Sequence, residues 1–223
     1  MKKTKVKVKS VKHVTHDVLQ IETNKPENLK FTPGQATEIS IDKSDWADEK
    51  RPFTFTSLPT DNFLQFTIKT YPSHKGVTNE LLKLEPGDEL ILHDVFGAIA
   101  YQGEGLFIAG GAGVTPFISI FRDLKQQKEI RGNKLIFANK TSADIILAPE
   151  FEEMLGENFI NILSEEKTRR HAHGQIDEEF LRANITGFNQ QFYVCGPPSM
   201  MDAVLKQLDN LGVAKKAITT EDL

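Results

Sequence analysis

The first hundred residues alternate hydrophobic and polar positions over short runs, a pattern typical of half-buried β-strands. Near the start, Val6 and Val8 alternate with Lys5, Lys7 and Lys9. We interpret these lysines as the solvent face of an edge strand rather than as a patch for an anionic partner. Six such runs, separated by turn sequences, predict a small antiparallel barrel. The predicted strands are 3–14, 18–23, 36–41, 53–55, 63–70 and 89–93, with a short helix at 77–84.

After residue 101 the pattern of hydrophobic and polar residues changes. Short runs of apolar residues alternate with longer amphipathic segments. Alternating strands and helices indicate a parallel sheet with helices on both faces. The predicted strands are 106–109, 135–138, 159–163, 192–195 and 216–219, and the predicted helices are 116–127, 149–155, 177–183 and 198–211. The pattern therefore predicts two domains, residues 1–100 and 101–223, joined by a linker at 97–105.

Composition excludes several classes of protein. The chain of 223 residues has 27 basic and 31 acidic side chains, so nucleic acid is not an expected partner. Its single cysteine excludes an intramolecular disulfide and a metal site built on cysteines, and it indicates a reducing, cytoplasmic location. No metal site is expected. The uncharged stretch 105–121 is too short for a membrane span and contains glycines and a proline.

Two segments of the second half each follow a predicted strand and begin a predicted helix. Residues 110–116, Gly-Gly-Ala-Gly-Val-Thr-Pro, have glycines that let a phosphate approach the backbone at a helix N-terminus. A tight strand-to-helix turn is the alternative interpretation. Residues 195–201, Cys-Gly-Pro-Pro-Ser-Met-Met, place the thiol at the end of a strand, where it could also be a buried apolar residue.

Two further segments lie in the barrel half. Residues 51–57, Arg-Pro-Phe-Thr-Phe-Thr-Ser, combine a cation that can bind a phosphate through two hydrogen bonds with aromatic rings and hydroxyls. The alternative is an amphipathic strand with Arg51 in solvent. Residues 71–79 place Gly76 and Thr78 at the start of the short helix, which suggests either an anion site or a simple N-cap by Thr78.

In this order and spacing, the segments 31–35 (Phe-Thr-Pro-Gly-Gln), 51–57, 76–78, 111–116 and 195–198 resemble the ferredoxin–NADP reductase superfamily over nearly the whole chain. The resemblance implies an N-terminal six-stranded flavin-binding barrel and a C-terminal nicotinamide-nucleotide domain. It also implies FAD as cofactor, NADH or NADPH as substrate, and a carrier protein such as ferredoxin or flavodoxin as electron acceptor. The alternatives are a flavin or quinone reductase with a diffusible acceptor, a non-catalytic flavin-bearing subunit of a larger complex, and a redox-inert nucleotide sensor.

The resemblance assigns roles to individual residues. Arg51 would hold the flavin pyrophosphate, Phe53 would lie against the isoalloxazine ring or the ribityl chain, and Thr54 would hydrogen-bond flavin N5. The predicted catalytic residues are Thr54, Cys195 beside the nicotinamide, and Glu221. Gly76, Val77 and Thr78 would cap the FAD phosphates, while Gly111, Gly113, Thr115 and Pro116 would cradle the pyrophosphate of the nicotinamide nucleotide. The remaining predicted cofactor-binding residues are Pro52, Ser57, Tyr71, Gly196 and Pro197.

Three positions depart from the family pattern. Phe53 stands where the family has a tyrosine, and the chain ends in Glu-Asp-Leu rather than in an aromatic residue. NADP-using relatives often carry a Ser-Arg pair after the third strand of the nucleotide domain, whereas Ser164 and Glu165 occupy that place here. Because a carboxylate repels a 2′-phosphate, these residues favour NADH, although nearby Lys140 could supply compensating charge.

Overall fold

The chain forms two compact units in the computed structural model, which describes residues 3–221. The barrel unit contains the described residues up to Gly97 together with Thr115–Asp123. The sheet unit contains Ala98–Val114 and the described residues from Leu124 onward. The grouping of Thr115–Asp123 with the first unit differs from the sequence-based division at residue 100.

The barrel unit is a six-stranded antiparallel sheet. Its strands are β1 Thr4–Thr15, β2 Val18–Asn24, β3 Ala36–Ile41, β4 Arg51–Thr54, β5 Phe63–Lys69 and β6 Glu89–Phe96, in the order β4-β3-β6-β1-β2-β5. The two outer strands meet just after β4, where Phe55 forms an isolated bridge with Phe66 and the Thr56 N–H donates to the Gln65 carbonyl at 2.8 Å. This junction closes the sheet, so the predicted antiparallel barrel is confirmed.

The lysine-rich first strand is not at the edge of the sheet. β1 pairs with both β2 and β6, so the expectation of an edge strand was wrong. The expected faces are correct, because Lys5 is exposed while Val6 and Val8 are buried in the barrel core. Alternation along a strand reports which face meets solvent, but it carries no information about which strands become neighbours.

The short helix of the barrel unit is half the predicted length. Helix α1 spans Val77–Glu80, and a 3-10 turn, Leu81–Lys83, continues it. Gly76 is the N-cap residue, so the alternative reading of Thr78 as the cap was wrong. Val77 and Leu81 are buried in the barrel core, which fixes this turn on the barrel.

The sheet unit is a six-stranded parallel sheet in the order β10-β9-β8-β7-β11-β12. Its strands are β7 Gly105–Gly110, β8 Lys134–Asn139, β9 Phe159–Leu163, β10 Ala172–His173, β11 Gln191–Cys195 and β12 Ile218–Thr220. Its helices are α2 Thr115–Gln127, which begins in the barrel unit, α3 Ala148–Leu155, α4 Glu178–Asn184 and α5 Pro198–Asn210. Among the strands and α-helices of residues 3–221, the two-residue strand β10 is the one that the sequence pattern did not predict.

Helices cover both faces of this sheet. On one face, Ile108 and Val194 pack with Leu181 of α4 and with Val204 and Leu208 of α5. On the opposite face, the ring of Phe137 meets the ring of Phe151 from α3 edge-on, with centroids 6.4 Å apart. The predicted parallel sheet between two helical layers is confirmed.

The uncharged stretch 105–121 forms β7, a 3-10 turn at Gly111–Val114 and the first part of α2. Within residues 3–221, none of the helices has both the length and the apolar character that a membrane crossing requires.

Candidate active site

The Arg51 side chain is exposed at the start of the edge strand β4. Its guanidinium lies 3.4 Å from a carboxylate oxygen of Glu49 and donates to the Lys50 carbonyl at 2.6 Å. Its side chain is 47% exposed. Exposed ion pairs of this kind are weak, so an incoming phosphate can compete for the guanidinium. Pro52 is exposed beside it and Phe53 is half-buried.

The Thr54 hydroxyl is nearly buried and accepts a hydrogen bond from Thr115. Thr54 is 8% exposed, and the Thr115 hydroxyl donates to it at 3.4 Å. A hydroxyl that accepts one hydrogen bond keeps its own O–H to donate. Thr54 can therefore donate to an acceptor such as a flavin nitrogen. The N–H of the next residue, Phe55, donates to the Gln35 carbonyl at 3.0 Å, which joins this segment to the Phe-Thr-Pro-Gly-Gln turn.

Two of the predicted flavin contacts lie in different environments. Ser57 is buried, and its hydroxyl accepts the Gln65 N–H at 3.0 Å, so this hydroxyl supports the backbone of the barrel. Tyr71 is exposed and stacks on His74, with ring centroids 5.7 Å apart. A role of either residue in cofactor binding stays a prediction.

The backbone N–H groups at the start of α1 have no side-chain cap within residues 3–221. The N–H groups of Asn79 and Glu80 both donate to the Gly76 carbonyl. Among the described residues, no side chain caps the preceding N–H groups of the turn, and a Cβ on Gly76 would meet no heavy atom within 4 Å. Uncapped N–H groups beside open space are the donors that a phosphate oxygen needs.

The glycines of the loop after β7 have two separate physical roles. Gly111 has a φ of +51°, a conformation that favours glycine, and a Cβ there would meet nothing within 4 Å in residues 3–221. A Cβ on Gly113 would lie 2.3 Å from the Cys195 carbonyl oxygen, and one on Gly110 would lie 2.4 Å from Met200 Sδ. Gly113 and Gly110 therefore allow the turn after β7 to pack against the turn after β11, whereas Gly111 faces open space.

These two turns lie side by side because β7 and β11 are parallel neighbours, with Ala109 opposite Cys195. Gly196 is half-buried between them, where a Cβ would lie 2.7 Å from Met200 Cε, while Pro197 is exposed at the start of α5. Thr115 and the buried Pro116 form the first turn of α2, where a proline loses no intrahelical hydrogen bond.

The structure brings two of the predicted catalytic residues together. Cys195 Sγ lies 3.5 Å from Glu221 Oε2, and Cys195 is 6% exposed. Burial raises the pKa of the Cys195 thiol, and the charge and hydrogen bond of Glu221 raise it further. The sulfur is therefore a neutral thiol that donates to a carboxylate. The last two residues of the chain, Asp222 and Leu223, lie outside the described residues.

The acidic pair after β9 is tied to the end of β8. The Ser164 and Glu165 N–H groups donate to the carbonyls of Asn139 and Lys140, which extends the ladder between the two strands. Lys140 Nζ lies 3.1 Å from Glu165 Oε1. Glu166 accepts the Ser142 N–H and hydroxyl, and these bonds lower the pKa of Glu166.

Sequence reasoning missed Asn139 at the carboxyl end of β8. Its side-chain amide is buried, and neither of its polar atoms has a hydrogen-bond partner among the described residues. A single asparagine at a strand end has no motif around it, so only the folded structure reveals it.

Residues 107–206 match the family model of the oxidoreductase NAD-binding domain, and residues 3–89 match that of an FAD-binding domain. The chain belongs to the ferredoxin–NADP reductase superfamily. Its two domains are thus an FAD-binding domain followed by a NAD-binding domain, the order that the sequence motifs predicted.

Curated relatives are similar to this chain in sequence, and a solved structure shares its fold. The reductase component of propane 2-monooxygenase from Mycolicibacterium smegmatis is 28% identical, over 96% of this chain and 66% of that protein. NADH-cytochrome b5 reductase 2 from Mycosarcoma maydis is 26% identical, over 88% of this chain and 62% of that protein. The chain therefore spans just under two thirds of these relatives. A ferredoxin NADP+ reductase from Neisseria gonorrhoeae with bound FAD and NADP shares the fold, with a TM-score of 0.87, 19% identity, and coverage of 99% of this chain and 98% of that chain.

The residues in place are chemically suited to both nucleotides. On the barrel unit, the exposed Arg51 cation and the open start of α1 can bind the two phosphates of FAD, and Thr54 keeps a hydroxyl donor. On the sheet unit, Gly111 gives a phosphate access to the backbone at the carboxyl end of β7.

Proposed function

We propose that this chain is an NAD(P)H-dependent FAD oxidoreductase that passes electrons from the reduced nucleotide through FAD to a small carrier protein such as a ferredoxin or flavodoxin. The observation that carries this proposal is the succession of an FAD-binding and a NAD-binding domain in one chain. When bound, FAD supplies the capacity to accept a hydride and to release the electrons one at a time.

In this proposal, the barrel unit binds and orients the flavin. Arg51 and the first N–H groups of α1 hold the two phosphates, and the Thr54 hydroxyl donates to flavin N5. The partly buried Phe53 ring offers an apolar face beside them. The burial of Thr54 supports its role, because a hydrogen bond shielded from water holds its partner in a fixed position.

The sheet unit binds the nicotinamide nucleotide in the same proposal. The glycine turn of this unit, with Thr115 and Pro116 directly after it in the chain, receives the pyrophosphate, and Cys195 lies beside the nicotinamide. Because the Cys195 thiol is neutral and bonded to Glu221, we assign it a packing and orienting role rather than that of a nucleophile.

We further propose that NADH is the preferred donor. Glu165 lies beside Lys140 at the carboxyl edge of the sheet, so the lysine charge is already paired with a carboxylate. An acidic group at this place favours ribose hydroxyls and repels a 2′-phosphate. The relatives named NADH-cytochrome b5 reductase and Na(+)-translocating NADH-quinone reductase support the same preference.

A protein carrier is the acceptor that the relatives support best. The propane relative is named a reductase component, and a further relative from Pseudomonas putida, 26% identical, is named the electron transfer component of xylene/toluene monooxygenase. Both names describe proteins that serve another component. A cytoplasmic location belongs to the same proposal and is supported by the single, unpaired cysteine.

The acceptor is tested by following NADH oxidation without oxygen. The purified chain is offered a ferredoxin, a flavodoxin, a quinone or free flavin, with ferricyanide as a control for electron release. We expect the carrier proteins to be reduced in a saturable, salt-sensitive way, as for an electrostatically guided encounter. Turnover with the quinone or free flavin alone would identify a reductase with a diffusible acceptor instead. Ferricyanide reduction without any activity on these acceptors would contradict the proposed carrier.

A further inference from the structure

Three polar side chains form a row on one face of α2. Thr115, Ser119 and Arg122 follow the spacing i, i+4 and i+7, which places them on the same side of a helix. All three lie in the part of α2 that belongs to the barrel unit. Thr115 donates to the Thr54 hydroxyl, and the buried Ser119 hydroxyl accepts the Gly34 N–H at 3.0 Å.

Arg122 makes the charged contact of this row. Its Nη1 donates to the Thr56 carbonyl at 2.6 Å and to Gln65 Oε1 at 2.7 Å. Thr56 follows the last residue of β4 by two positions, so its carbonyl lies outside that strand. Hydrogen bonds from a cation are stronger than those between neutral groups, and they are strongest when shielded from water.

The acceptors of Arg122 are buried and oriented. Thr56 is completely buried and Gln65 is 6% exposed. The Gln65 amide donates from Nε2 to a Glu22 carboxylate oxygen at 3.2 Å, while its Oε1 also accepts the Thr56 hydroxyl. The Glu22 carboxylate accepts from the amide nitrogen of Gln65 and the Arg122 guanidinium donates to its amide oxygen. These two charges fix the orientation of the Gln65 amide. The Gln65 amide therefore has one favoured orientation in this network, and Arg122 supplies the cation that stabilises that orientation.

We propose that Arg122 is a positioning residue for hydride transfer, which holds α2 in register with residues 54–57 so that the Thr54 and Thr115 hydroxyls keep their geometry. The proposal rests on the proposed function, in which Thr54 contacts the flavin. Arg122 acts through other residues and touches no reacting atom. Its two bonds are charge-assisted, whereas the Thr115 hydroxyl pairs with the neutral Thr54 hydroxyl and the Ser119 hydroxyl accepts the Gly34 N–H.

The test compares Arg122→Met with Arg122→Lys. Methionine keeps an unbranched side chain but has no donor, whereas a lysine ammonium can still donate to both acceptors. Lys125→Met is the matched control, because Lys125 is on the same helix and its partner is Glu153 at 2.7 Å on the sheet unit. Melting temperatures and FAD content are measured for each variant.

The first measurement is hydrogen exchange of residues 51–57 in the purified protein, which needs no turnover. We expect exchange there to be about tenfold faster in Arg122→Met and to stay near the wild-type rate in Arg122→Lys and Lys125→Met. The peptide 191–195, in the sheet unit, should be unchanged. Unchanged exchange of residues 51–57 in Arg122→Met would overturn the proposal.

The second measurement is the rate of flavin reduction by NADH in a single anaerobic turnover. We expect Arg122→Met to slow it about tenfold, because a shift of about 1 Å in a reacting geometry costs up to a hundredfold. Arg122→Lys should recover most of that loss, and an equal loss in both variants would overturn the proposal. If Arg122→Met does not fold, Gln65→Met removes one acceptor and should give a smaller loss in both measurements, whereas no change in either would overturn it.

The failure of this inference can be told apart from that of the proposed function. If NADH does not reduce the wild-type flavin, the proposed function fails, and the exchange comparison still decides whether Arg122 holds residues 51–57. If the wild type is reduced and Arg122→Met behaves like it in both measurements, only the inference about Arg122 fails.

Discussion

A Cβ atom on Gly113 would lie 2.3 Å from the carbonyl oxygen of Cys195. The two residues belong to neighbouring strand-to-helix turns, so the glycine permits the close approach of one backbone to another. The atom that this Cβ would meet is a backbone oxygen, which cannot move aside as the end of a flexible side chain can. The second glycine of the Gly-x-Gly motif is therefore required by packing inside the sheet unit, before any nucleotide binds.

This contact predicts a stability difference between two glycines of one loop. Gly113→Ala should lower the free energy of unfolding by about 1–3 kcal/mol, because backbone must move to admit the methyl group. Gly111→Asn should cost less, since its φ of +51° is accessible to asparagine and the space around it is open. Denaturant unfolding without added nucleotide measures both. Equal stability of Gly113→Ala and wild type would refute the packing argument.

Arg51 should control retention of the flavin. Arg51→Ala removes a charge-assisted phosphate contact worth about 1.5–3 kcal/mol, which corresponds to a loss of about ten- to hundredfold in affinity. Glu49→Gln is the matched control: it removes the competing carboxylate 3.4 Å from the guanidinium and should leave the affinity unchanged or slightly higher. Titration of the flavin-free protein with FAD gives the affinities, and chromatography of the heat-released flavin should show FAD. Release of FMN alone would contradict the assignment.

The buried thiol predicts how stability changes with pH. The folded state holds the Cys195 proton more tightly than the unfolded chain, whose thiol titrates near the ordinary pKa of 9.0. Above that pH the unfolded chain loses its proton first, so the free energy of unfolding should fall by up to about 1.4 kcal/mol per pH unit. Cys195→Ala lacks this contribution. Urea unfolding at pH 7 and pH 10 should show the difference between the two proteins shrinking as the pH rises, and parallel behaviour would argue against a neutral buried thiol.

The pattern of hydrophobic and polar residues predicted the strands and helices of this fold well. It predicted less well which strands pair with one another. The predicted bounds of β3 and β9 agree with the structure, because a short run of β-forming apolar residues is a property of each segment alone. β1 was misplaced at an edge, since strand order depends on contacts between distant residues. The two-residue strand β10 is too short to leave a pattern.

In the candidate site, too, some residues were predicted from the sequence and others were not. The family resemblance pointed to Cys195 and Glu221, which the structure brings together. It did not reveal Arg122, because a lone arginine in an amphipathic helix resembles any solvent-facing cation until the Thr56 carbonyl is seen beside it. Ser57 was assigned to the cofactor from its position in a motif; its hydroxyl accepts the Gln65 N–H of β5, and the assignment to the cofactor stays a prediction.

Nucleotide preference should depend on Glu165. Glu165→Arg replaces the carboxylate beside Lys140 with a second cation, so the ratio of kcat/KM for NADPH to that for NADH should rise at least tenfold, or about 1.4 kcal/mol. Glu157→Arg, at the opposite end of β9, is the control with the same change in charge and should leave the ratio unchanged. A wild type that already favours NADPH tenfold, or a ratio that Glu165→Arg does not move, would place the discrimination elsewhere.

The central claim is that one chain binds FAD and reduces it with a nicotinamide nucleotide. The visible spectrum of the purified protein, recorded without oxygen before and after addition of one equivalent of NADH, tests it most directly. We predict a yellow protein whose visible flavin absorption bleaches after NADH is added. A colourless protein, or a flavin spectrum that neither NADH nor NADPH changes, would contradict the account.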